Sequence, residues 1–66
     1  MTEKDFAAEM NISYGYLNKI LLGRRPAGRK AATKIAAKLN VNIAALIHAV
    51  PYKRELSKAR KAIKDL

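Results

Sequence analysis

Residues 6–23 read FAAEMNISYGYLNKILLG, and residues 24–30 continue as RRPAGRK. The first stretch divides into two short helical patterns on either side of Asn11. Phe6, Ala7 and Met10 supply one inner face, and Leu17, Ile20 and Leu21 then follow the i, i+3, i+4 rule. Thr2, with Asp5 three residues on, makes a capping-box pattern for the first helix, and Ser13 is placed to cap the second. Asn tolerates the left-handed backbone of a sharp turn, so Asn11 is expected to end the first helix. The second is expected to run to about Leu22 and to stop at Gly23.

Beyond this stretch, Pro26 and Gly28 punctuate a loop over 24–28. A third helix is expected over 29–39, with Ala32, Ile35, Ala36 and Leu39 as its buried stripe and Asn40 as its end. A short fourth helix over 43–49 would turn Ile43, Leu46 and Ile47 inward. Pro51 suits a helix start. The fifth helix, 52–66, carries Tyr52, Leu56, Ala59, Ile63 and Leu66 at alternating spacings of four and three, and Lys53, Arg54, Lys58, Arg60, Lys61 and Lys64 make its remaining surface basic. No β-pattern or internal repeat is present. The expected fold is all-α, a compact bundle of about five short helices, organised as a core over 1–50 and a basic amphipathic helix over 51–66.

A chain of 66 residues is one small domain, and such a domain buries only about 60% of its unfolded surface. The apolar residues are mostly Ala, Leu and Ile, with one Phe and no Trp, which suits closely packed helices and leaves no room for a sizeable catalytic cavity. There is no cysteine, and the one histidine, His48, cannot chelate a metal alone. His48 is read as a structural or surface residue, and no metal, cofactor or small-molecule ligand is expected. Carboxylates are few, no nucleophile–base pair stands out, and no glycine-rich loop follows a strand, so an enzyme is not expected. No apolar run approaches the ~20 residues of a membrane span, and MTEKDF lacks the pattern of a signal peptide. The expectation is a soluble, cytoplasmic, nucleoid-associated protein.

Fourteen Lys and Arg oppose five Asp and Glu, a formal charge of +9. Glu3, Asp5 and Glu9 fall at the start. Residues 11–47 contain no acid, while Lys19, Arg24, Arg25, Arg29, Lys30, Lys34 and Lys38 accumulate there. That asymmetry points a positive face at a polyanion. Lys34, Lys38 and the cations of the fifth helix are read as a solvated face that adds a diffuse steering field.

A major groove admits one α-helix and displays distinguishable base edges, but a helix reads them only if its other face is held. A helix-turn-helix holds it with a preceding helix. That clamp needs a small residue where the helices approach, here Ala7 or Ala8, a turn residue such as Asn11, and apolar anchors, here Ile12, Leu17 and Ile20. With Leu17, Ile20 and Leu21 inward, Tyr14, Gly15, Asn18 and Lys19 project outward. Asn can pair with adenine and Lys can reach guanine acceptors. Tyr14 suits a phosphate or a thymine methyl, and Gly15 offers close approach of backbone.

The segment FAAEMNISYGYLNKILLGRRPAGRKAATKIAAKLNVNIAALI, residues 6–47, resembles the λ-repressor/Cro family of helix-turn-helix proteins without gaps. Ala7, Ile12, Leu17, Ile20, Gly23, Pro26, Ile35, Ala36 and Leu39 carry the match. The resemblance implies that Tyr14, Gly15, Asn18 and Lys19 hold base-reading positions. It places Thr2 and Glu3 where the first motif helix meets the phosphate backbone, Thr2 being the better partner. Arg24 and Arg25 lie in the family's backbone-lining loop, with Arg29 and Lys30 close behind. Ser13 and Tyr16, flanking the exposed face, complete the expected phosphate contacts. Three departures stand out: Asn11 replaces the usual turn glycine, Leu22 replaces a commonly polar residue, and the family's first helix has no counterpart before Thr2. Read tail to head, YKRELSKARKAIKDL followed by TEKDFAAEM resembles the family's first two helices. The fifth helix is therefore expected either to pack where the first usually sits, to mediate dimerisation, or to remain a loosely ordered basic tail.

The function expected is sequence-specific binding of double-stranded DNA by a small phage or bacterial Cro/repressor-like transcriptional regulator, with a homodimer on DNA as a possible form. The other readings are the DNA-binding antitoxin of a toxin–antitoxin pair and a non-specific basic protein that coats nucleic acid or docks on an anionic membrane.

Overall fold

The computed structural model describes residues 1–48 and 52–66. Within them the chain forms five α-helices: α1 (Glu3–Glu9), α2 (Tyr14–Leu21), α3 (Arg29–Leu39), α4 (Ile43–His48) and α5 (Lys53–Lys64). The expected end of α4 at Ala49, the helix start at Pro51 and the division between 50 and 51 all fall outside the described residues.

Local chemistry sets the boundaries. The Thr2 hydroxyl accepts the Asp5 N–H, and the Ser13 hydroxyl accepts the Tyr16 N–H, each satisfying one orphan donor of a first helical turn. Asn11 takes a φ of 61° and Gly23 a φ of 75°. After α1, Asn11 N–H donates to the Ala8 carbonyl and Ile12 N–H to that of Ala7; after α2, Gly23 N–H donates to Ile20 and Arg24 N–H to Lys19. Both endings are Schellman motifs, which need a left-handed residue at the turn. Asn40, with φ 55°, closes α3 in the same region of backbone space.

Phe6, Leu17, Ile20, Ile35, Leu46 and Ile63 are the largest fully buried side chains, drawn from all five helices. Each contributes about 1.5–3 kcal/mol by leaving water. Ala7, not Ala8, is the small residue at the α1–α2 contact: Ala7 is buried and Ala8 exposed. Helix α5 packs against each of the other four helices, burying Leu56, Ala59 and Ile63. The Met1 amino group donates to the Leu66 carbonyl at 3.2 Å, so the two ends of the described chain touch.

Two expectations at the helix margins are corrected, at Ile43 and in the extent of α5. Ile43 is exposed because it is the first residue of a six-residue helix, and Ala45 faces the core in its place. Ile47 turns inward as expected, half-buried and packed against the core. Helix α5 is shorter than expected: Tyr52 is its half-buried N-cap, and Leu66, beyond its end, is exposed. Leu22 caps α2 and remains exposed.

Candidate nucleic-acid interface

Helix α2 buries Leu17, Ile20 and Leu21 and has no acidic residue. The opposite face carries Tyr14, Gly15 and Lys19, all exposed, while Asn18 is half-buried at its flank. Gly15 sits in the first turn of this helix. A Cβ built on it meets nothing within 4 Å, so packing does not require a glycine there. Glycine inside a helix costs up to roughly 0.5–1 kcal/mol relative to alanine, and no packing contact at Gly15 calls for it.

The loop after α2 is tied at both ends. Arg24 N–H bonds the Lys19 carbonyl at 2.9 Å, and Ala27 N–H bonds the Leu46 carbonyl of α4 at 2.8 Å. Between these anchors Arg25 lies over the ring of Tyr16, its guanidinium carbon 5.3 Å from the ring centroid. The Tyr16 hydroxyl accepts the Gly28 N–H at 2.8 Å. Tyr16 is half-buried, and its hydroxyl proton is not used by that bond. The same holds for Ser13 and Thr2, whose oxygens accept backbone N–H groups while their own protons stay available.

The expected site residues gather in three open concavities. Ser13, Gly15, Tyr16, Lys19 and Arg25 line one. Tyr16, Arg29 and Lys30 line a second, with Asn11 and Lys34. Thr2 and Tyr14 line a third, together with Lys64 of α5 and the acids Glu3 and Asp5. Arg24 and Asn18 line none of the three. Lys64 joins the site region although its sequence context marked it only as part of a solvated face. Lys64 stands 62 positions from Thr2 and 50 from Tyr14, and the packing of α5 against α1 and α2 brings them together.

Two acids of α1 are engaged by cations of other helices. Glu9 pairs with Lys38 and Glu3 with Arg60, each at 3.5 Å. Glu3 thus lines the third concavity while paired to α5, and its Oε1 is buried without a hydrogen-bond partner. Among the described residues Lys19, Arg24, Arg25, Arg29 and Lys30 form no ion pair, so their charge stays outward. His48 is exposed, no cluster of metal-binding side chains occurs among the described residues, and none of the described helices is long and apolar enough to cross a membrane.

A family model described as helix-turn-helix matches residues 1–46. No curated protein and no solved structure matches the chain.

Proposed function

Since this chain belongs to the λ-repressor/Cro-type helix-turn-helix family of DNA-binding regulators, we propose that it binds a specific duplex sequence by laying α2 in the major groove. Tyr14, Gly15, Asn18 and Lys19 face base edges in this reading. Thr2, Ser13, Tyr16, Arg24, Arg25, Arg29 and Lys30 face phosphates, which set register and supply salt-dependent affinity. One observation carries the reading: α2 is held by three buried side chains on one face, while its other face is uncovered and free of acid. The regulator acts by occluding a promoter.

In this proposal α5 takes the place of the family's first helix. Its contacts with α1 and α2, and the touching chain ends, support that assignment. Leu56, Ala59 and Ile63 of α5 are buried within the protomer, which favours another surface for a dimer on a two-fold operator, with half-sites about one helical turn apart.

Selection of bound sequences from a random duplex library tests the reading. A recovered motif supports it, and its symmetry reports the number of protomers bound. Recovery of no motif, with affinity indifferent to salt, overturns it. The variant Asn18→Ala/Lys19→Ala is expected to lose sequence preference while keeping non-specific binding.

A further inference from the structure

We propose that Tyr16 is a positioning residue for the loop between α2 and α3, and that it completes a seat for one phosphodiester beside Gly15. The inference rests on the duplex-binding reading and adds to it how the loop is made ready. Two hydrogen bonds and one cation–π contact meet on this residue. Its backbone N–H is held by the Ser13 hydroxyl at 3.1 Å. Its phenolic oxygen holds the Gly28 N–H at 2.8 Å, twelve positions away. Its ring lies under the Arg25 guanidinium. Tyr16 therefore joins the start of α2 to the start of α3 and supports the arginine suspended between them.

The cleft so formed, about 460 Å³, is lined by Ser13, Gly15, Tyr16, Lys19 and Arg25, none of them a carboxylate. It offers the Arg25 guanidinium fork and the Ser13 hydroxyl proton, with the base-facing Lys19 at its rim, and Gly15 leaves space for a ligand to come close. A stacked guanidinium presents its planar fork with little further loss of freedom, and that geometry fits two oxygens of one phosphate. The side chains nearest the base-facing surface are the same ones, so the phosphate that fits is one of the duplex backbone flanking the base pairs under α2.

This refines the phosphate-facing assignment of Tyr16: its hydroxyl acts through the Gly28 N–H and the loop, and not by touching the phosphate itself. Duplex affinity is measured for Tyr16→Phe in the native background and in Arg24→Gln/Arg25→Gln. The ring and the core are kept, and cooperative thermal unfolding checks the fold. Loss of one positioning hydrogen bond is expected to lower affinity about 3–10-fold in the native background. In the loop-neutral background the loss should shrink to less than about 2-fold, the coupling a shared pathway requires. Hydrogen exchange at the Gly28 amide of the free protein should accelerate in Tyr16→Phe. Equal losses in both backgrounds, no loss in either, or unchanged Gly28 exchange would each overturn the positioning role. Should the wild type bind no duplex, the functional reading falls by itself. Titration with inorganic phosphate, followed at the Gly15 and Arg25 amides, then decides the seat: shifts at both support it, and none overturns it.

Discussion

Replacing Gly15 by alanine should move stability and binding in opposite directions. The added methyl meets nothing within 4 Å, so the fold receives it without strain. Removing a helical glycine should then raise stability by roughly 0.5–1 kcal/mol. For a domain of this size that is a rise in melting temperature of about 2–8 °C. In the proposed complex the same methyl would occupy space reserved for the close approach of the duplex. Forcing an extra methyl into a close contact costs typically about 1–3 kcal/mol, which is about 5- to 150-fold in affinity. Circular dichroism melts and fluorescence anisotropy at fixed salt, using the selected duplex and a random one, read both effects. A Gly15→Ala protein that melts higher and binds its selected site as tightly as wild type would refute the close-approach role. One that melts lower would show that the glycine serves the fold, and the reasoning would fail earlier.

Other consequences follow from packing and backbone. Ile63→Ala should cost about 2–5 kcal/mol, a large share of the roughly 3–10 kcal/mol expected for a domain this small. It should abolish duplex binding along with the whole cooperative transition, and a protein that loses only α5 while still binding would contradict the shared core. Asn11→Ala should destabilise by about 1–2 kcal/mol, because its φ of 61° penalises a Cβ without a compensating side chain; Asn11→Gly should stay within about 0.5 kcal/mol of wild type, both read by urea unfolding. Arg60→Met leaves the Glu3 carboxylate without its charge partner and should cost about 1–2 kcal/mol. Adding Glu3→Gln should restore most of that loss, and failure of the second substitution to help would mean the ion pair is not the cause.

The elements near residues 2–40 were legible because local chemistry defines them. Thr2, Ser13, Asn11, Gly23 and Asn40 are residues whose side chains or backbone freedom suit a cap or a turn at one place only, and α3 spans Arg29–Leu39 as its apolar stripe implied. The outward set on α2 could be read because its complement, Leu17, Ile20 and Leu21, follows a single period. Short helices defeated the same reasoning. In the six residues of α4, periodicity cannot separate Ile43 from Ala45 as the inward position. Contacts between distant segments were also hidden. The Tyr16–Gly28 bond, the Arg25 stack and the Glu3–Arg60 pair depend on how α2, the loop, α1 and α5 come together. Side-chain type alone carries no record of that.

The closing of the bundle by α5 also sets when the protein can work. Ribosomal synthesis proceeds at about 5–20 residues per second, so α5 emerges roughly 3–11 s after α1. Through that interval Phe6 and Leu17 lack the helix that completes their shelter. Joining segments so far apart in the chain raises contact order above that of an ordinary up-and-down bundle, and slows folding accordingly. Helix α2 thus gains its complete packing in one late event. Nascent or prematurely ended chains carry all of its residues yet lack the helix that closes the bundle around it.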